Sequence, residues 1–526
     1  MMFYFSYIVM ASFGILCRLP FSLGSNISTS DNAGVKAKLN ALRKHGFSYI
    51  IPNAVNLGGF FPRPILFHFL VSKFPKKLWR ITLVLLNSSF DVFAGMMSVG
   101  LIVMLFPGQI SLEAQILLFG IAITSPILFP ATARLKATNN RTFGLFLNQV
   151  YFAIFLGFDL EVWSVLALSL IVIITIISST FATQLLFFVS LIYSLISLNY
   201  NLLIPLLLAL IVVFALNPLG SRDILLFKWV HLKFTAKTQN TAFSVSNKAL
   251  FFNATMLKKA RKPDGFVDLI LHRSGIIKLI WGLPSMLVLL FMWIDSGRLP
   301  NLYAEAQNEL FSSIVFLILT VLIIFILTSF GKGRLVGESE RYLEILSFII
   351  PIGMAIIVAE SLLRIDVLLL IFMGQIAVIL AVSILNTSGV IEKISGFNAG
   401  FNSYIVELID CIKASEKRNI ATIPIRLSRT LSTHLDEQAD DYRFYYRLIC
   451  EKPILEKGID RFLEDSYHVN FLKTTPRQLQ DKYGVEMIIL ENRFIKGLSE
   501  GYWDSIMEEC SEFHSNEHFS LFVIKS

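Results

Sequence analysis

Apolar runs long enough to cross a bilayer recur from the first residues of this chain to about position 385, and no other feature narrows its fold as much. A hydrocarbon core some 30 Å thick asks for about 20 apolar residues per helical span. Runs of roughly this kind, about eleven in all, are read at 1–17, 81–106, 113–130, 143–158, 162–179, 185–198, 202–216, 276–294, 311–330, 345–363 and 367–385. Charge is correspondingly scarce: 16% of the 526 residues are Asp, Glu, Lys or Arg, where soluble domains carry roughly 25%. A water-soluble globular enzyme is therefore excluded, and the expected class is a polytopic α-helical membrane protein, integral and multi-pass. The first run has no basic leader and no small-residue cleavage site, so it reads as a retained anchor.

Polar segments punctuate this hydrocarbon and divide the chain. Residues 1–386 read as a transmembrane domain holding an interfacial loop at 24–80 and a basic loop at 217–275; residues 387–526 read as a small soluble α/β domain. In the first loop, Asp31 follows small polar residues that favour a helix cap, and Leu39, Leu42 and Phe47 mark an amphipathic helix behind it. The stretch 60–74 is apolar, short and interrupted by Pro62 and Pro64, and reads as a helix lying along the membrane surface. Asp91 sits inside an apolar run, where an acid is costly; it is expected to face the bundle and make a packing hydrogen bond. Arg134, Lys136 and Arg141 crowd one connection and suit either a phosphate, whose oxygens match a guanidinium fork, or an ordinary basic loop.

Within 217–275, Arg222, Lys228, Lys233 and Lys237 alternate with Phe227, Trp229, His231 and Phe234, as in a helix meeting lipid head groups. Nucleic acid is not an expected partner of so apolar a chain; membrane lipids are. Beyond residue 386 charged residues return, with strands read at 420–425, 485–490 and 519–524 and helices at 456–465 and 476–483. The cysteines Cys17, Cys411, Cys450 and Cys510 have no metal-ligand spacing.

Three of these pieces come in a suggestive order: Ser30-Asp31 after the first run, a helix closed by Arg43-Lys44-His45-Gly46, then aromatic-Pro-x-Pro-x-x-x-His from Phe61 to His68. The arrangement resembles the first extracytoplasmic loop of GT-C fold glycosyltransferases, polytopic enzymes that move a sugar from a polyprenyl-phosphate carrier. The resemblance implies that Asp31 is catalytic and that Arg63 and His68 lie near the acceptor or the interface. Arg341-Tyr342-Leu343, opening a late apolar run that contains Pro351, is similar to the segment whose cation faces the lipid phosphate in that family. By resemblance, Arg341 and Tyr342 bind the donor phosphate; Arg134 and Arg141 are read beside them as forks that match phosphate oxygens in pairs. Ion pairs of Arg341 with Glu338, Glu340 and Glu344 within one helical turn are the plainer reading. Many relatives carry a second acid that helps bind a divalent metal; the matching loop here has none, and one carboxylate is a poor site for such an ion.

The resemblance places the loops and the C-terminal domain outside the cytoplasm, whereas their basic character would place them inside. The expectation is a membrane glycosyltransferase of a bacterial plasma membrane, using a lipid-linked sugar donor and an unidentified acceptor. A polytopic transporter or flippase of a lipid-linked or anionic substrate is the alternative, although repeats between chain halves are not seen.

Overall fold

The computed structural model describes residues 2–23, 35, 39, 42–43, 46–47, 50–52, 60–62, 64–129, 140–226, 228–229, 261, 270, 275–295, 306–329, 339–360, 362–387, 401–423, 427, 431, 442–445, 475–492, 495, 498 and 500–525. The chain divides into two compact units, one of residues 1–26, 77–222 and 245–396, the other of 27–76, 223–244 and 397–526. The segment 27–76, which the sequence reading groups with the transmembrane residues, falls in the second unit.

The first unit is a bundle of apolar helices. Its longest, Trp79–Leu105, packs against Met2–Leu23, Leu112–Ile123, Arg141–Gly157 and Leu346–Ala359. The last of these is apolar on every side, and each residue from Leu346 to Ile357 is buried, as an all-round hydrophobic helix requires. Ile365–Thr387 is different: Leu368, Ile371, Phe372, Gln375, Ile379 and Val382 are buried at helical spacing, while Leu369, Leu370, Met373, Leu380 and Ile384 are exposed, a surface suited to lipid. A short polar chain ties this helix inward, with Thr124 Oγ1 donating to Gln375 Oε1 at 2.9 Å and Gln375 Nε2 donating to Ser285 Oγ at 3.3 Å.

Among the described residues five helices are long and apolar enough to cross a membrane: Lys76–Leu105, Thr180–Ser197, Glu309–Ser329, Ser339–Ala359 and Ile365–Leu385. A sixth is added if Leu203–Leu216 and Pro218–Leu226, bent by 109°, form one span. The bend follows from Asn217 and Leu219, which take the left-handed region at φ 46° and 53° on either side of Pro218. The shortfall from about eleven runs has a geometric cause. Leu112–Ile123 has 12 residues and so rises only about 18 Å. The run 276–294 is cut into Gly275–Gly282 and Pro284–Asp295, because proline has no N–H to continue a helix and disfavours helical geometry in the residue before it.

In the second unit Val35, Leu39 and Leu42 are helical and buried, at the spacing of one helix face, and Gly46 closes the turn at φ +76° with its N–H on the Leu42 carbonyl. Leu42 and Ile65 form a small core with Phe47 and Phe69. The interfacial helix expected over 60–74 is shorter than that. Phe60–Pro62 is instead a strand, β2, paired antiparallel with β1, Ile50–Pro52, and the helix runs only from Leu66 to Ser72. Pro62 and Pro64 hold the preceding chain extended, so helix begins only once they are passed.

Among the described residues this unit also holds a five-stranded sheet. Its strands are β3 (Asn419–Ile423), β4 (Arg443–Tyr445), β5 (Met487–Glu491), β6 (Cys510–Ser515) and β7 (Phe519–Ile524), in the order β4-β3-β5-β7-β6. β3 pairs parallel with β4 and β5, and β7 antiparallel with β5 and β6. Successive residues serve opposite faces: Ala421, Ile423, Ile488 and Leu490 join one core, Ile420, Met487 and Ile489 the other. The helix Pro476–Tyr483 leads into β5, opened by a capping box between Thr475 and Gln478 and closed by Gly484 at φ 67°. The helix read at 456–465 lies outside the described residues.

Candidate functional site

Close packing of two helices assembles the candidate site. A Cβ added at Gly144 would lie 2.4 Å from the Ser179 Cβ and 2.7 Å from that of Ala182. Only glycine lets Arg141–Gly157 approach the start of Thr180–Ser197 this closely, and the approach brings the first residue of one helix, Arg141, to Phe181 in the first turn of the other. Ser179 caps the second helix by accepting from the Ala182 N–H, and Asn140 Nδ2 ties the first to the Ser178 carbonyl. Thr142 Oγ1 donates to Asn87 Oδ1 on Trp79–Leu105.

The 3-10 turn Ser339–Ile345, which runs into Leu346–Ala359, supplies the remaining wall. Tyr342 is fully buried and meets the Phe181 ring edge-on, with centroids 5.6 Å apart. The guanidinium carbons of Arg141 and Arg341 lie 5.7 Å and 5.6 Å from the centroid of that same ring, inside the range of a cation–π attraction. Two cations far apart in sequence are thus gathered on one aromatic surface.

Their charge is partly offset by acids on the turn. Arg141 donates to Glu344 Oε1, and Lys278, on Gly275–Gly282, donates to Glu340 Oε1 at 3.2 Å. Arg141 needs such a partner, because a cation at a helix N-terminus faces the positive end of the helix dipole. The glutamates therefore pair with cations on other elements, across 203 and 62 residues of sequence. Each of these pairings reaches a cation far from the turn in sequence, beyond the within-turn partner Arg341 that the sequence suggests. Both acids are buried, at 7% and 2% exposure, which explains why each has a cation beside it.

Of the residues expected to act, Arg141, Arg341 and Tyr342 are brought together here. His68 is buried in the second unit on Leu66–Ser72, its ring against Phe67. Asp31, Arg63 and Arg134 lie outside the described residues. Lys278 and Phe181 were not singled out from sequence; a lone lysine within an apolar helix was the available signal. Among the described residues no three His, Cys, Asp or Glu side chains converge as a metal site would need.

A second buried charge lies deeper in the bundle. Arg18 is fully buried and donates through Nε to Asp91 Oδ2 at 3.1 Å, and through its two terminal nitrogens to the Gly14 and Ile123 carbonyls, each at 2.7 Å. Its guanidinium also covers the Phe129 ring at 4.6 Å. Asp91 has the packing role expected of it, with an ion-pair partner. Gly14 and Gly95 bring three helices into contact around Ile123 at this level.

No family model and no curated protein matches the chain. Among solved structures it is similar to ArnT from Cupriavidus metallidurans bound to undecaprenyl phosphate, at TM-score 0.46 and 11% identity, over 98% of this chain and 97% of that one. ArnT in the apo state gives TM-score 0.44 and 12% identity over 94% and 93%. The oligosaccharyltransferase of Archaeoglobus fulgidus, in complex with Zn and sulfate, gives 0.46 and 11% over 95% of this chain and 71% of that one. These likenesses are distant.

Proposed function

We propose that the chain is a membrane glycosyltransferase that moves a sugar from a polyprenyl-phosphate donor to an acceptor at the extracytoplasmic face. The observation that supports this most is the gathering of Arg141 and Arg341 on the Phe181 ring, beside Tyr342, within an apolar helical bundle. A ligand suited to such a place is anionic at one end and hydrocarbon at the other, and a lipid phosphate has that chemistry. Arginine forks bind phosphate oxygens in pairs, and a preorganised cation stabilises charge as it develops.

In the step proposed, the Asp31 carboxylate takes the proton of an acceptor hydroxyl or amine while the acceptor oxygen or nitrogen bonds to the anomeric carbon. The bond from that carbon to the phosphate oxygen breaks, and its electron pair leaves with the lipid phosphate. Arg341, helped by Arg141 and Arg134, binds the phosphate as its charge grows, and Tyr342 fixes the ring that both described arginines cover. His68 and Arg63 are assigned to the acceptor side.

The experiment uses purified full-length protein in liposomes, polyprenyl-phosphate donors each carrying one radiolabelled sugar, and cell membranes as the acceptor source. Wild type transfers label from one donor, Asp31→Asn transfers none while its melting temperature is unchanged, and Arg341→Gln transfers at least about tenfold less. An Asp31→Asn variant with full activity would refute the assignment. Movement of intact donor across the bilayer without transfer would establish a flippase instead.

A further inference from the structure

We propose that Lys278 is a further anion-binding group of this site, donating to a phosphate oxygen alongside Arg141 and Arg341; the inference rests on the reading of the Phe181 cluster as the donor-phosphate site. Lys278 belongs to Gly275–Gly282, a short helix that packs against the Ser339–Ile345 turn. Its side chain is 9% exposed, and its one hydrogen bond among the described residues goes to Glu340 Oε1 at 3.2 Å. An ammonium has three N–H donors. Two therefore have no acceptor among the described residues, in a bundle where water is scarce and an unmet donor on a charged group is costly.

Glu340 directly precedes Arg341, so the bond to Glu340 tethers the ammonium one residue from the guanidinium proposed to hold the phosphate. The two kinds of cation are suited to complementary tasks. A guanidinium fork fixes the plane of two oxygens, while an ammonium is a compact point charge that follows an oxygen as the phosphate shifts from diester to leaving group. Glu340 is then a competitor of the phosphate for Lys278. A purely structural ion pair makes the opposite prediction, because loss of either partner would harm the site alike.

The test is binding of farnesyl phosphate, and separately of inorganic phosphate, to the full-length protein in detergent, read by calorimetry. Lys278→Gln removes a cation from beside the buried Glu340 and puts folding at risk, so Lys278→Gln/Glu340→Gln is measured beside it. Farnesyl phosphate affinity is expected to fall about tenfold or more in both, to stay within about threefold in Lys278→Arg, and to rise in Glu340→Gln. Inorganic phosphate is expected to bind far more weakly, since only the lipid ester also buries hydrocarbon. If Arg341→Gln weakens binding and the double variant does not, the Lys278 proposal is overturned and the site reading stands. Should inorganic phosphate alone bind, in a Lys278-dependent way, the anion site stands and the lipid-donor reading falls. Wild type binding neither probe overturns both, and Glu340→Gln weakening binding as much as Lys278→Gln reduces the pair to structure.

Discussion

Replacing Arg18 with Met is expected to be among the most damaging single changes in the apolar bundle. The side chain makes three hydrogen bonds to three partners, Asp91, Gly14 and Ile123, and covers the Phe129 ring, all at 0% exposure. Methionine keeps much of the volume and the contact with the ring but none of the donors. Asp91, itself 3% exposed, is left as a buried carboxylate without its guanidinium. Breaking a buried pair from one side costs about 3–5 kcal/mol, whereas replacing both partners with apolar groups of similar size is often neutral or stabilising. Arg18→Met should therefore lose about 3–5 kcal/mol, Asp91→Leu a comparable amount, and the double variant most of neither. The assay is reversible unfolding of the detergent-solubilised protein by titration with sodium dodecyl sulfate, followed by circular dichroism. An Arg18→Met variant as stable as wild type, or a double variant no better than the worse single one, would refute the claim that the pair is the chief reason both charges are tolerated at this depth.

Gly95→Ala should destabilise the same bundle by about 1–3 kcal/mol, because the added Cβ would lie 2.4 Å from the Ile123 side chain and 3.1 Å from that of Phe119; Gly100→Ala, with nothing within 4 Å, should be neutral or slightly stabilising in the same titration. In the second unit, burial and the neighbouring Glu509 push the Cys510 thiol up to about 12, against the opposing pull of Lys525. A thiol raised in the folded state favours folding fully below its ordinary value near 9, and that contribution is lost as pH rises from there toward about 12. Alkaline melts should show stability falling over that window, less steeply in Cys510→Ala. Maleimide at neutral pH should label the half-buried Cys411 before Cys510; the reverse order would show that β6 opens in the native state.

What the sequence discloses is whatever repeats locally. The short runs rich in branched apolar residues at 420–425 and 485–490 read directly as strands, and the structure assigns alternate residues of 420–423 and 487–490 to separate cores. Leu39 and Leu42 show a helix face by their spacing, whereas Phe47, read on the same helix, lies past the turn that Gly46 closes. Interruptions are harder to read, because hydropathy sums along a run and does not register backbone geometry. The break at Pro284 lies inside a run that looks continuous, and the left-handed turn at Asn217 lies at the edge of another.

The charged residues carry a different lesson. Arg18, Asp91, Arg141, Lys278, Glu340 and Glu344 each stand out in sequence as an ion in or beside an apolar run, which announces that a partner must exist without naming it. Neighbours in sequence name only Arg341 for Glu340 and Glu344, since a turn is the nearest place to find a counter-ion. Packing adds the distant partner: Gly144 lets one helix close onto Ser179 and Ala182, which delivers Arg141 to Phe181 beside the turn that carries Glu344. The identity of the glycine therefore sets the pairing of the charges. A Gly144→Val variant, whose branched side chain would force these helices apart, should lose the Arg141–Glu344 contact and weaken phosphate binding even though it touches neither ion. Glu344→Gln introduced on top of it should then add less than its effect in the wild-type chain, and full additivity in the binding assay would separate the helix contact from the charge pairing.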